Sequence, residues 1–150
     1  MYSKQEASKI KQAFWTRFGQ YMKPVPASGG EKVNWSNYKT GIAHIYFRLH
    51  VEKTFASVAI ELTNPLPEKR IQQFQQFLSM KTMLEETMQT AMHWEENTTD
   101  ENQRTISRIS VKLNDVNIFR EEDWPAIISF LKPSIINLDV FWEDVKMVFE

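Results

Sequence analysis

Hydrophobic residues recur along this chain with two periods, and each change of period marks a change of element. Between Lys4 and Met22, the residues Ile10, Phe14, Phe18 and Met22 fall every four positions, which predicts a helix with one apolar stripe flanked by Trp15 and Tyr21. Ser3 and Glu6 have the spacing of a capping box at its start. Pro24 and Pro26 end it, because proline has no amide donor and restricts the residue before it. From Lys23 to Gly41 the periodicity lapses, and three of the four glycines lie there, which predicts a long loop with a short strand at Lys32 to Trp35.

At Ile42 the period becomes two. Ala43, Ile45, Phe47, Leu49 and Val51 alternate with Ile42, His44, Tyr46, Arg48 and His50, and after Glu52 and Lys53 the apolar set resumes as Ala56, Val58, Ile60 and Leu62. This predicts a β-hairpin. A turn at Glu52-Lys53 places Ile45 opposite Ile60, Phe47 opposite Val58 and His44 opposite Glu61, with the apolar sets on one face. The turn lacks the glycine or asparagine that two-residue turns prefer, which leaves a longer turn open.

Thr63 and Asn64 are positioned to cap a second helix, with Pro65 and Pro67 in its first turn and an apolar stripe of Ile71, Phe74, Phe77, Leu78, Leu84 and Met88. A second hairpin follows, from Ala91 to Asn97 and from Arg104 to Leu113 across a polar turn. Glu121, Glu122 and Asp123 mark another helix start. Its apolar positions Ile127, Ile128 and Leu131 precede an expected break at Pro133, and Ile135, Leu138, Trp142, Val145 and Phe149 then continue the stripe. The expected fold is α+β in a single domain over residues 1–150. It comprises an antiparallel sheet built mainly from two β-hairpins, packed with an N-terminal helix, a central helix and a C-terminal helix pair.

Composition narrows the chemistry. A length of 150 residues with 42% hydrophobic content suffices for one domain with a substantial core. Eighteen Lys and Arg stand against nineteen Asp and Glu, a net charge of -1, which excludes a strongly basic nucleic-acid coat. The chain has no cysteine, so disulfides, thiolate nucleophiles and cysteine-based metal sites are excluded. The first residues lack the apolar centre and cleavage site of a secretory signal, and no apolar run is long enough to span a membrane, so the expected location is cytoplasmic.

Familiar catalytic motifs are missing. On one strand His44 and His50 would stand about 20 Å apart, too far to share a metal. Ser28-Gly29-Gly30-Glu31 lacks the Gly-Lys-Ser/Thr ending of a phosphate loop, and no Gly-x-Ser-x-Gly occurs. No catalytic residue, metal or cofactor is expected. The informative group is the second sheet face, where His44, Tyr46, Arg48 and Glu61 of the first hairpin align with Glu95, Arg104, Arg108 and Lys112 of the second. Arginines among acids on one face suit recognition of phosphate or carboxylate, and the alternative is a solvated face of cross-strand ion pairs. Most of the five tryptophans fit a core; Trp35, with Tyr38 in the glycine-bearing loop, is the one expected to be partly exposed.

Several blocks also resemble a family. Phe14-Trp15-Thr16-Arg17-Phe18, Val33-Asn34-Trp35, Ile45-Tyr46-Phe47-Arg48, Ile60-Glu61-Leu62, Trp94-Glu95, Ser107-Arg108-Ile109 and Asp123-Trp124-Pro125 together span almost the whole chain. They resemble an uncharacterised bacterial family, domain of unknown function forty-two sixty-eight. The family has no established activity; in longer relatives a domain like this looks to be attached behind nuclease-like domains, so the resemblance implies a link to DNA metabolism or defence and supplies no catalytic residues to carry over. The element order also resembles restriction-endonuclease-like nucleases if Lys32 to Trp35 is a strand. Their acid-x-lysine pair would fall at Glu61-Leu62-Thr63, where the lysine is missing, so such a nuclease would be degenerate.

The leading expectation is a non-catalytic binding module for a nucleic-acid or protein partner, with no membrane. Arg48, Arg104 and Arg108 would contact phosphate or carboxylate, and Trp35 and Tyr38 would stack. The alternatives are a degenerate phosphodiesterase with Glu61 and Glu95 around a divalent cation, and a structural domain that closes a homodimer.

Overall fold

Ser3 and Glu6 form the expected capping box, each side chain accepting from the other's backbone amide, and helix α1 (Lys4–Met22) starts there. Phe14, Phe18 and Met22 are its buried stripe. In the computed structural model, which describes residues 2–150, the elements that follow are β1 (Ile45–Val51), β2 (Phe55–Leu62), α2 (Pro67–Ser79), α3 (Lys81–Met88), β3 (His93–Thr99), β4 (Thr105–Asn114) and α4 (Trp124–Val145). The chain is therefore α+β, with a four-stranded antiparallel sheet in the order β1-β2-β4-β3.

The first hairpin keeps the expected face and changes the expected register. Ile45 pairs with Leu62, Phe47 with Ile60 and Val51 with Ala56, so the turn is Lys53-Thr54, one residue later than Glu52-Lys53. Moving the turn by one residue slides the pairing by two, and a period of two leaves every side chain on its original face. The later turn is held from outside the hairpin: the Asp115 amide donates to the Thr54 carbonyl, and the Ile118 amide to that of Glu52. The strand begins at Ile45, because His44 adopts a left-handed φ of 67°. Tyr46, not His44, lies opposite Glu61.

No strand forms at Lys32 to Trp35. Asn34 instead caps a short 3-10 turn over Trp35–Asn37, its side chain accepting from the Ser36 amide. The predicted central helix is two helices, parted at Met80, whose backbone (φ -109°, ψ 19°) leaves the helical region. Pro67 occupies the first turn of α2. Conversely, the C-terminal pair is one helix of 22 residues followed by a 3-10 turn, Lys146–Phe149, because α4 runs through Pro133. Ile127, Ile128, Leu131, Ile135, Leu138, Phe141 and Trp142 are buried on both sides of the proline, so a continuous packed stripe outweighs one missing backbone hydrogen bond.

Strand β3 carries a bulge. Glu95 pairs with Arg108 but Thr98 with Ile106, so Glu96 and Asn97 together oppose Ser107. Arg70 of α2, 3% exposed, fills this irregularity: Nη1 donates to the Glu96 carbonyl and to Ser107 Oγ, each at 2.7 Å, and Nη2 donates to Asn97 Oδ1 at 2.8 Å.

The core lies between one sheet face and the helices. Ile45, Phe47, Val51, Ala56, Val58, Ile60, Leu62 and Ile109 meet Phe14, Phe18, Phe77, Leu84 and the stripe of α4. The indole of Trp142 stacks on Phe77, meets Phe47 edge-on and donates to the Thr40 carbonyl. No helix is long and apolar enough to cross a membrane among the described residues. The helices cover one side of the sheet and leave its polar side as a concavity.

Candidate functional site

Antiparallel pairing sets the residues of the polar face in rows across the sheet. One row is Tyr46, Glu61, Arg108 and Glu95; the next is Arg48, Ala59, Ser110 and His93; the third is His50, Ser57 and Lys112. Neighbours within a row are about 5 Å apart and successive rows about 7 Å apart. The long side chains stand around the small ones, and the face encloses about 1010 Å³.

Glu61 is the electrostatic centre of this face. It is 5% exposed, lying on the inner strand β2 between β1 and β4. Arg48 Nε stands 2.7 Å from Oε1, Arg108 Nε donates to Oε2 at 2.9 Å, and His50 Nε2 is 3.9 Å from Oε2. Burial alone pushes the carboxyl up, but His50 and Arg108 beside it outweigh that and hold it below the usual glutamate range. Two guanidiniums on one carboxylate leave a net positive charge. Arg48 and Arg108 engage Glu61 through Nε, and their Nη groups make no hydrogen bond within the described residues. The Tyr46 ring lies 4.4 Å under the Arg48 guanidinium, which steadies its plane.

Of the sequence-predicted residues, Tyr46, Arg48, Glu61, Arg108 and Glu95 come together in the first two rows. Arg104 lines the same concavity from the β3-β4 turn, where its Nε donates to Asp100 at 3.1 Å. Asp100 also accepts the Arg104 and Asn102 amides; the bond from the Arg104 amide above all lowers its carboxyl pKa. Arg104 and Asp100 are thus the local fastening of the turn.

Trp35 and Tyr38 are not exposed, contrary to expectation. Trp35 is 3% exposed and donates through Nε1 to the Val25 carbonyl. Tyr38 is 9% exposed, stacks on Phe47 and donates its hydroxyl to Asp139 Oδ1 of α4, while the Ser28 amide donates to Asp139 Oδ2. Burial, followed by the bond to Asp139, pushes the Tyr38 phenol well above its ordinary range. A buried aspartate thus ties the glycine-bearing loop to α4, and both rings belong to the core instead of a stacking platform.

Glu61 and Glu95 do not flank a common cation site, because Arg108 lies between them in their row. Among the described residues no group of three or more His, Asp or Glu could hold a metal ion. The strand at Lys32 to Trp35 on which the nuclease comparison depends is absent. Conversely, Ser57, Ser110, His50 and His93 line the concavity without having been singled out as site residues. Their alternation with apolar positions was visible in the sequence; their convergence was not, because it depends on the pairing of β2 with β4, strands separated by two helices.

A family model described as Domain of unknown function (DUF4268) matches residues 10–146. No curated protein and no solved structure matches the chain.

Proposed function

The chain belongs to the DUF4268 family, a domain of unknown function, and from that premise we propose that it is a single α+β domain acting as a non-catalytic binding module. Its concave sheet face engages an anion-bearing partner, with nucleic acid the first candidate. The observation that carries this reading is the arrangement at Glu61. The buried carboxylate holds Arg108 by a hydrogen bond from Nε and pairs with Arg48 at 2.7 Å, and the Nη groups of both make no hydrogen bond within the described residues. Such forks recognise phosphate oxygens, and prior fixation by Glu61 lowers the ordering cost of binding.

The test is a titration of the full chain against short labelled single- and double-stranded DNA at low and moderate salt, with Mg²⁺ present and the products run on a gel. Binding without cleavage is expected, with affinity falling as salt rises by a slope that reports the phosphates contacted. Arg48→Glu and Arg108→Glu should each weaken binding about tenfold. Arg48→Gln, with circular dichroism to verify folding, separates a lost contact from a lost fold. Variants that bind like wild type, or a wild-type protein silent toward DNA at low salt, would overturn the proposal.

A further inference from the structure

A second hollow lies away from the sheet, between the end of α1 and the long loop that follows it. Helix α1 contributes Gly19 and Met22 and the loop contributes Pro24, Pro26, Val33 and Trp35, around about 810 Å³. That is the size of a ligand or peptide site, and its lining shares no residue with the concave face. The loop is fastened in place. Trp35 donates to the Val25 carbonyl, Asn34 accepts from the Ser36 amide, and Asp139 of α4 accepts from the Ser28 amide and the Tyr38 hydroxyl. The groove therefore exists before anything enters it, which lowers the ordering cost of filling it.

Gly19 keeps this groove open. Glycine is disfavoured inside a helix, and a Cβ at Gly19 would meet no atom within 4 Å, so the chain's own packing does not require the small residue there. Lys23 and Lys32 are the only charged residues of the lining among the described residues, so the groove suits an apolar occupant with carboxylates at its margin.

The same chain carries such a feature. Met147 is 71% exposed, more than any other large apolar side chain among the described residues, and Val148 beside it is 50% exposed. Both sit on the 3-10 turn after α4, which Phe149 pins by stacking on Phe77 with ring centroids 4.5 Å apart. A fixed turn thus holds an apolar tip out in water. Glu143, Asp144 and Glu150, all exposed, flank this tip against one cation, Lys146. An apolar tip with an acidic margin complements an apolar groove with two lysines. Helix α4 also adjoins the loop, through Asp139 and through the Trp142 bond to the Thr40 carbonyl, so tip and groove belong to neighbouring parts of the surface, which suits a reciprocal exchange about a two-fold axis.

We infer that two copies of this chain associate by exchanging these features, Met147 and Val148 of each copy entering the groove of the other beside Lys23 and Lys32. This goes beyond the binding-module reading and is independent of it, because the concave face contributes nothing to the contact.

The experiment is analytical ultracentrifugation of the full chain from about 1 μM to about 1 mM. A concentration-dependent dimer is expected. Met147→Asp, at an exposed position, and Gly19→Leu, which fills the groove with a residue that favours the helix, should each weaken the dimer at least about tenfold. Far-ultraviolet circular dichroism of both variants should match wild type, which separates a lost contact from a lost fold. The two variants mixed in equal amounts regain one of the two contacts, the intact tip of one entering the intact groove of the other, so the mixture should dimerise more tightly than either variant alone. A dimer that both variants leave unchanged, or a mixture that associates no better than its parts, overturns the proposal. A wild-type monomer at about 1 mM also overturns it and leaves the groove to an acidic, apolar segment of another protein.

Discussion

A carboxylate as buried as Glu61 is unfavourable on a sheet unless cations accompany it, and here Arg48 and Arg108 do. Removing the acid strands two like charges side by side, so Glu61→Gln should destabilise the fold by about 1–3 kcal/mol at pH 7, measured as the shift in urea midpoint. The pH dependence follows from the sign of the shift. The folded carboxyl titrates below its unfolded counterpart, so its stabilisation is complete above the unfolded value, near pH 4.5, and is lost as pH falls through the lower folded value. Wild type should therefore lose more stability than Glu61→Gln between pH 5 and about pH 3; parallel losses would show that the pair contributes nothing. At this scale the sequence was partly legible. Alternation placed Tyr46, Arg48 and Glu61 on one face because a strand has a strict period of two. It said nothing of Tyr38, whose hydroxyl is held by Asp139 about a hundred residues away, nor of Trp35, whose Nε1 donates to the Val25 carbonyl.

Elements show where local rules yield to packing. Pro133 is exposed, so its ring adds little to the core while its missing amide leaves the Ser129 carbonyl without a helical partner. Pro133→Ala should restore that bond and raise stability by roughly 1 kcal/mol, read as an increase in Tm. A lower Tm would mean that the proline contributes a bend on which α4 depends. The reading of Pro133 as a break failed because the apolar stripe of α4 continues past it into Phe77 and Trp142 territory. The hairpin turn was misplaced by one residue for a related reason. Hydrophobic alternation determines which face is inward, but Lys53-Thr54 is selected by the backbone bonds from Asp115 and Ile118, which no local pattern encodes. The bulge at Glu96–Asn97 likewise depends on Arg70 reaching over from α2.

Across the whole molecule, residues from α1, the loop after it, the sheet, α2, α3 and α4 meet in one apolar cluster. Such a core should melt as a unit. Thermal unfolding followed by far-ultraviolet circular dichroism and by tryptophan fluorescence should give coincident single transitions, and two separated transitions would overturn the proposal of a single domain. The α+β class was legible because long periodic segments reveal themselves one at a time. The concavity was not, because it comes into being only when β2 and β4 pair across the intervening α2 and α3. The strand order has a further consequence for assembly. One margin of the sheet is β3, polar and kinked by its bulge, and so a poor template for another chain; the other is β1, regular and rich in branched and aromatic residues. Growth by strand addition is therefore confined to one side. Two copies joined there through β1 would each present only a bulged border to the outside, so strand addition of this kind would close at two chains.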